Sequence, residues 1–257
     1  MEVLKCALGP ITVGFASSVL CIFASAEPSK TDPKLTEVWS PVPQVVAPGK
    51  GSAPPSDAII LFSKHSLSEW QHEDGSPAKW RTQGNIFTVA GGTGDLQSKR
   101  AFGDCQLHIE WRAPLPVTGQ GQNRGNSGVF FQGRYEVQIL DSYKNPTYSN
   151  GQAASVYKQG IPLVNASRRP GAWQAYDIIF RSPKFSEDGT VLAPAYITVI
   201  HNGVLVQDHV EVKGSTAWIG APSYAAHGAL EPLKLQDHDT KVSYRNIWIR
   251  NLQPRSQ

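Results

Sequence analysis

Hydrophobic and polar residues alternate along several short stretches of this chain. Residues 105–112, 173–181 and 195–201 place apolar side chains on one face of a strand and polar ones on the other. Asn202-Gly203, after the last of these, is a typical two-residue hairpin turn. We find no segment with the period of an amphipathic helix. Many short strands joined by such turns predict an all-β protein, an antiparallel β-sandwich. Further strands are predicted at 58–62, 80–89, 129–132, 204–208 and 242–250.

The stretch 134–142 combines a strand pattern with chemically active side chains. Glu136 and Gln138 fall on one face, about 7 Å apart along the strand. A β-bulge after Gln138 would turn Asp141 onto the same face. Two carboxylates and an amide that face a cleft suit acid–base chemistry on a sugar or the binding of a metal ion, although a solvated strand face would show the same pattern. The opposite face is apolar and is expected in the core: Tyr135, Val137 and Ile139.

Length and charge limit the classes of function. The chain has 257 residues, a formal net charge of +3 and 40% hydrophobic residues. This length suits one large β domain or two small ones. A net charge so close to zero provides no electrostatic attraction to nucleic acid, so we expect no nucleic-acid partner. The seven tryptophans and eight tyrosines could stack on sugar rings or fill a core.

The N-terminus has the pattern of a secretory signal peptide. Lys5 precedes an apolar run over residues 6–24, and Ala24-Ser25-Ala26 has the small residues of a cleavage site. We therefore expect a signal peptide at 1–26, export to a bacterial periplasm or secretion, and no membrane attachment after cleavage. An uncleaved membrane anchor is the alternative reading.

The remainder of the chain divides into a linker and a domain. Residues 27–56 are rich in proline and predict an extended linker or a strap over the domain surface, and the domain itself follows at 57–257. Cleavage of the signal would remove Cys6 and Cys21. Cys105 would then be the single cysteine, so the mature chain would have no internal disulfide.

Five sequence blocks occur in order along the chain, at 126–130, 135–142, 171–178, 201–206 and, in two parts, 235–238 with 244–250. Together they resemble the bacterial 3-keto-disaccharide hydrolase family, formerly a domain of unknown function. The resemblance extends from about residue 58 to residue 252. It implies a jelly-roll sandwich of the concanavalin A-like lectin and glucanase type.

Related laminarinase-like glucanases carry Glu-x-Asp-x-x-Glu on their catalytic strand. This chain has the same spacing in Glu136, Gln138 and Asp141, but Gln138 replaces the first Asp and Asp141 replaces the second Glu. A glutamine cannot share a proton with its neighbours, and an aspartate is about one bond shorter than a glutamate. These departures argue against ordinary double-displacement hydrolysis.

The family resemblance implies a substrate whose sugar is already oxidised at C3. The ketone acidifies the C2 proton, so that a base can remove it, the C1 oxygen can leave by elimination, and water can add afterwards. We expect Glu136, Asp141 and His238 to be the acid–base groups. The same three are the candidate ligands of a divalent metal that would polarise the ketone.

The resemblance and the local sequence also suggest groups that bind the substrate, which would be a small molecule or an oligosaccharide. Several candidates also have a purely structural interpretation. Lys99 and Arg124 could be solvated surface charges, and Trp173 could pack in the core. Asn126 could form a turn that precedes Gly128. His238 has the alternative of a loop histidine bonded to its acidic neighbours. The candidates for substrate binding are Gln138, Lys99, Arg124, Asn126, Tyr157 and Trp173.

Two other functions fit the sequence. The same sandwich serves non-catalytic, lectin-like carbohydrate-binding modules, because a fold does not determine function. An ordinary glucanase-type glycosidase is the other alternative, and it would need a second carboxylate about 5–5.5 Å or about 6.5–9.5 Å from the first. A deep cleft around Glu136 would favour an enzyme, and a shallow aromatic surface would favour a lectin.

The signal peptide leads to a direct test. Protein exported by a bacterial host should begin at Glu27, because the small residues at Ala24 and Ala26 form the cleavage site. N-terminal sequencing of the exported fraction would show this. A sequence that starts at Met1 in exported protein would mean that the segment is an uncleaved anchor.

Overall fold

The computed structural model describes residues 32–62 and 65–252, so the predicted signal peptide at 1–26 lies outside the described residues. The chain divides into two units after Val45, within the segment predicted as a linker or strap. The described part of the first unit contains one short 3-10 turn, Pro33–Thr36. The second unit contains the β-strands. No helix in the described ranges is long and apolar enough to cross a membrane.

The second unit is built from short antiparallel strands, and its described residues contain no α-helix. The strands predicted at 105–112 and 195–201 have the predicted bounds. The strands are β1 (Ile59–Phe62), β2 (Trp70–His72), β3 (Arg81–Gln83), β4 (Ile86–Thr88), β5 (Leu96–Phe102), β6 (Cys105–Arg112), β7 (Ser127–Phe131), β8 (Tyr135–Ile139), β9 (Gln174–Arg181), β10 (Lys184–Phe185), β11 (Val191–Ala193), β12 (Ala195–His201), β13 (Val204–Val212), β14 (Glu231–Leu235) and β15 (Ser243–Asn251).

These strands form two main sheets. The larger sheet has the order β13-β12-β9-β6-β15-β4-β3, with β1 also paired to β15, and the smaller sheet has the order β2-β5-β14-β7-β8. Strands β10 and β11 form a separate hairpin. Apart from the consecutive pair β7 and β8, strands that are neighbours in the smaller sheet are distant in the chain, as in a jelly roll. The structure therefore confirms the predicted antiparallel β-sandwich.

The core lies between the two sheets and is rich in aromatic rings. Phe131 of the smaller sheet stacks on Phe180 of the larger one, with ring centres 4.7 Å apart. Alternation along β8 sends Tyr135, Val137 and Ile139 into the same core, as predicted. Burial of these side chains stabilises the fold by about 1.5–3 kcal/mol each relative to exposure. The apolar face of β8 is thus fixed in the sandwich.

Two buried tyrosines of the larger sheet form hydrogen bonds to the smaller sheet. The Tyr176 hydroxyl donates to the backbone carbonyl of Gln138 at 2.9 Å. The Tyr244 hydroxyl lies 2.6 Å from the hydroxyl of Ser127, which also donates to the carbonyl of Gln236. Because a buried hydrogen bond is costly to leave unmade, these contacts hold β7 and β8 at a defined distance from the larger sheet.

The structure differs from the prediction in two respects. The strands β2, β5, β10, β11 and β14 were not predicted. Charged residues interrupt the alternation in β5, Pro232 lies within β14, and the other three strands have only two or three residues each. The predicted bulge after Gln138 is absent, because the β7–β8 pairing is continuous and β8 ends at Ile139. The consequence is that Asp141 is not turned onto the face of Glu136 by a bulge.

Candidate active site

The polar face of β8 forms one wall of a cavity of about 640 Å³. This volume lies in the range of small-molecule binding sites. Glu136 and Gln138 enter the cavity from the outer face of the smaller sheet, opposite to the core face of the same strand. The other side chains come from neighbouring strands and from loops: Gln122, Asn123, Asn126, Phe130, Tyr148, Tyr157, Thr216, Trp218, Gln236 and His238.

Glu136 is a buried titratable group of this cavity, and its pKa is strongly raised. Its side chain is 4% exposed, and burial raises the pKa of its carboxyl from 4.5 to about 8. The positive charge of Lys234 lowers this pKa, and the negative charge of Asp95 raises it. At neutral pH both protonation states of Glu136 are therefore accessible, which suits a group that takes up and releases a proton.

Lys234 lies in the same cross-strand row as Glu136, because Phe130 pairs with both residues. Its ammonium group lies 3.1 Å from the carboxylates of Glu73 and Asp95, and 4.9 Å from the centre of the Phe130 ring. Burial alone would lower the pKa of Lys234, but the two carboxylates offset this and the pKa is raised. Its charge is thus shared with other acids and does not form an ion pair with Glu136.

A glycine makes room for the carboxyl group. Gly128 pairs with Gln138 across β7 and β8. A Cβ atom at this position would lie 2.6 Å from Oε1 of Glu136 and 2.7 Å from the ring of Phe130. Any larger residue would displace one of these side chains, so Gly128 is part of the structural basis of the site.

The outer edge of β8 is closed by the long loop that follows it. The backbone N–H of Gln138 donates to the backbone carbonyl of Ser155 at 3.0 Å. The backbone N–H of Tyr157 donates to the backbone carbonyl of Glu136 at 3.1 Å. The amide of Glu136 donates to the hydroxyl of Thr216 at 3.0 Å. These bonds satisfy an edge strand that would otherwise be open, and they bring Tyr157 and Thr216 to the cavity.

Two tyrosine hydroxyls meet at the wall that this loop contributes. The hydroxyl oxygens of Tyr148 and Tyr157 are 2.6 Å apart. Burial raises the pKa of Tyr157, so its hydroxyl stays protonated in the neutral range. One hydrogen of the pair lies between the two oxygens, and the other is free to donate to a ligand. Lys158, close to both rings, donates to the carbonyl of Trp218 at 2.5 Å.

The structure brings five of the predicted residues to one cavity. Glu136, Gln138, Asn126, Tyr157 and His238 all line it. The cavity thus groups two of the predicted acid–base residues with three of the predicted binding residues.

Asp141 does not line this cavity. Its carboxylate accepts a hydrogen bond from Nε of Arg124 at 2.7 Å, in an ion pair whose aspartate side chain is 3% exposed. Arg124 also donates to the carbonyl of Tyr143. Because β8 ends without a bulge, the chain carries Asp141 into this pair and away from Glu136. Both residues thus hold the loops next to the cavity, contrary to the expectation that they face the substrate.

Lys99 and Trp173 lie away from the cavity as well. Lys99 is an exposed residue of β5. Trp173 precedes β9 in the larger sheet, and the guanidinium groups of Arg245 and Arg112 lie 4.1 and 4.7 Å from its ring centre. These cation–π contacts occupy the ring, and Trp173 is therefore not a stacking platform of this site.

The proposed metal ligands do not come together. Asp141 is paired with Arg124, while Glu136 and His238 line the cavity. No group of three or more His, Cys, Asp or Glu side chains in residues 32–62 and 65–252 is arranged to hold a metal ion. The residues present therefore do not fit the divalent metal considered from the sequence.

Seven cavity residues were not singled out as site candidates from the sequence. Most lie in loops, where no alternation marks them, whereas Phe130 lies on the predicted strand β7 and Gln236 directly follows β14. The seven are Gln122, Asn123, Phe130, Tyr148, Thr216, Trp218 and Gln236. Trp218 is 74% exposed at the cavity.

Comparisons with known proteins agree with this architecture. The model of the 3-keto-alpha-glucoside-1,2-lyase-like domain matches residues 57–250. A solved structure from Parabacteroides distasonis ATCC 8503, provisionally described as a glycosyl hydrolase, is 49% identical, with 86% of this chain and 96% of that chain covered and a TM-score of 0.82. No curated protein matches the chain.

Two further structures from the same organism, with the same provisional description, support the fold. Both are 18% identical and cover 76% of this chain, with TM-scores of 0.57 and 0.54. The matched regions span 94% and 99% of those two chains. At this level of identity they show the sandwich architecture alone.

The position of Asp141 leads to a prediction. Asp141→Asn should lower the free energy of unfolding by about 1.5–3 kcal/mol, because the half-buried guanidinium of Arg124 loses a charged hydrogen-bond acceptor. Turnover by the folded fraction should stay within about threefold of the parent, which is far less than the loss of a general acid or base. Denaturant unfolding and activity would be measured on the same samples.

Asp208→Asn is the matched control, since Asp208 is exposed and should give parental stability and turnover. A fully stable Asp141→Asn protein with about a hundredfold loss of turnover would contradict the structural role of Asp141.

Proposed function

Since the chain belongs to the family of 3-keto-alpha-glucoside-1,2-lyase-like domains, we propose that it cleaves the glycosidic bond of a 3-keto-glycoside or 3-keto-disaccharide. This refines the broader description of the chain as a carbohydrate-active enzyme, which the family and the similar glycosyl hydrolase structure support. The observation that carries the proposal is the buried carboxyl of Glu136, with its pKa raised to about 8, in the cavity.

Glu136 acts in this proposal as the base that removes the C2 proton. The proton moves to the carboxylate, and the electron pair of the C2–H bond forms an enolate with the C3 ketone. The enolate then returns to the ketone as a C1–C2 double bond forms and the C1–O bond breaks. A carboxylate with a raised pKa is a stronger base than an ordinary one, which suits a carbon acid of low acidity.

The leaving oxygen and the enolate need hydrogen-bond donors. In an α-glucoside chair the C2–H and C1–O bonds are axial on opposite faces of the ring, so one carboxyl group cannot serve both. We assign the enolate oxygen to the free hydrogen of the Tyr148–Tyr157 pair and the leaving oxygen to His238. Addition of water to the double bond, with return of a proton to C2, would complete net hydrolysis.

The cavity is less suited to an ordinary glucanase. Glu136 is the single carboxylic acid among the described residues that line it. Direct displacement needs a second carboxylate at about 5–5.5 Å or about 6.5–9.5 Å. Elimination from a 3-keto sugar does not need a carboxylate nucleophile, and this difference favours the proposed reaction.

We further propose that the reaction takes place after export, in a periplasm or outside the cell. This rests on the Ala24-Ser25-Ala26 pattern and the apolar run that precedes it. A small-molecule or oligosaccharide substrate that is oxidised at C3 would be supplied by a preceding oxidation of the sugar at that carbon.

Substitution of the base tests the proposal. Glu136→Gln should lower turnover of a 3-keto-glucoside by about 10²–10⁴-fold, because the amide keeps the shape of the side chain but cannot accept the proton. The initial rate of aglycone release measures this. In the parent, kcat/KM should rise with pH and level off above about 8, as the carboxyl ionises.

Stability provides the control for correct folding. The folded state favours the neutral form of Glu136, so its contribution to stability is present below the ordinary pKa of 4.5 and is lost as pH rises through about 8. Glu136→Gln avoids this loss and should be more stable than the parent at pH 9. An unchanged turnover in a folded Glu136→Gln protein would exclude Glu136 as the base.

A further inference from the structure

Two side-chain oxygens at the cavity have no hydrogen-bond partner within the described part of the chain. They are Oε1 of Gln138 and Oδ1 of Asn126. Both residues line the cavity, and both are nearly inaccessible to solvent, with 1% and 4% exposure. A buried carbonyl oxygen without a donor is unfavourable, and such a group in a cavity indicates that a ligand supplies the missing hydrogen.

The orientation of the Gln138 amide follows from a neighbouring glutamine. Nε2 of Gln122 donates to the backbone carbonyl of Gly151 at 3.0 Å and to the hydroxyl of Thr147 at 2.9 Å. A backbone carbonyl can only accept, so this end of Gln122 must be its NH₂ group. Oε1 of Gln122 therefore faces Gln138 and accepts from its Nε2 at 2.9 Å. The free end of Gln138 is consequently the acceptor oxygen.

The same residue orients Asn126. Nδ2 of Asn126 donates to the backbone carbonyl of Gln122 at 2.7 Å. Because that partner is also an obligatory acceptor, the amide of Asn126 cannot turn without placing two oxygens together. Its free end is thus Oδ1. Both unpartnered atoms are acceptors, and both orientations depend on the segment that carries Gln122.

We propose that Gln122 is a positioning residue that holds Gln138 and Asn126 as a pair of hydrogen-bond acceptors for two hydroxyl groups of one sugar ring. This assignment rests on the proposed function for its substrate class and adds the groups by which the sugar is selected. A ring that lacks either hydroxyl leaves a buried acceptor unpaired. The pair therefore selects sugars with two free hydroxyls at these positions and rejects deoxy or acylated ones.

Binding of unoxidised sugars tests this independently of catalysis. Methyl α-glucoside and its monodeoxy analogues at C2, C3, C4 and C6 would be titrated calorimetrically into the full-length protein. Deoxygenation at two of the positions C2, C4 and C6, whose hydroxyls a 3-keto sugar retains, should weaken binding by about 10–100-fold, as the loss of a donor to a buried acceptor does. Asn126→Leu should remove the sensitivity to one of the two hydroxyls, and Gln138→Leu the sensitivity to the other.

The role of Gln122 is tested by Gln122→Met, which keeps the size of the side chain and removes its three amide hydrogen bonds. The Gln138 amide can then turn, so discrimination at the hydroxyl that it reads should fall below about threefold. Gln71→Met is the matched control, because Gln71 lies on β2, at the edge of the smaller sheet opposite to β8. It should keep the discrimination of the parent, and near-ultraviolet circular dichroism would confirm that both variants fold.

Each outcome decides the matter. Equal affinity for all the monodeoxy analogues, or no binding of any glucoside by folded protein, would overturn the acceptor pair. Parental discrimination in Gln122→Met would overturn the role of Gln122. Discrimination between the analogues without cleavage of 3-keto-glucosides would leave the acceptor pair intact and reject the proposed function. Cleavage of 3-keto-glucosides without discrimination between the analogues would support the proposed function and reject the acceptor pair.

Discussion

Burial of the Glu136 carboxyl is the constraint on which the organisation of the site depends. A carboxylate taken out of water is unstable unless it is paired, and here Lys234, the cation that lowers the pKa of Glu136, is already shared between Glu73 and Asp95. The result is a raised pKa in place of an ion pair. Gly128 provides the space for this carboxyl, since any Cβ there would overlap it.

The core of the sandwich fixes the position of this carboxyl. Alternate residues of β8 pack between the sheets, and the hydroxyl of Tyr176 reaches from the larger sheet to the carbonyl of Gln138. On the outer edge, Ser155 and Tyr157 continue the backbone hydrogen bonds of the strand. A strand held on both sides has little freedom to relax, so the face that carries Glu136 is presented rigidly, as the proposed proton transfer requires.

The sequence alone predicted the fold and part of the candidate site, because both depend on the alternation of residues along strands. Strict alternation around Glu136 predicted both the strand and its two faces, because a period of two leaves no other arrangement once one face is apolar. Asp141 could not be placed in this way, since its position depends on an ion pair with Arg124 and not on periodicity. The loop residues Tyr148 and Trp218 had no pattern at all, because loops meet the strand only in three dimensions.

The proposed removal of the C2 proton by Glu136 is tested most directly by isotope exchange. Turnover of a 3-keto-glucoside in heavy water should place deuterium at C2 of the released keto sugar, because the proton is lost to the enzyme and replaced from solvent. Keto sugars also exchange slowly with solvent, so a control with product alone, taken at the same time, is required. Enzyme-dependent label in the parent and its loss with Glu136→Gln is the predicted result. Rapid cleavage without enzyme-dependent label at C2 would contradict the account and indicate direct displacement at C1.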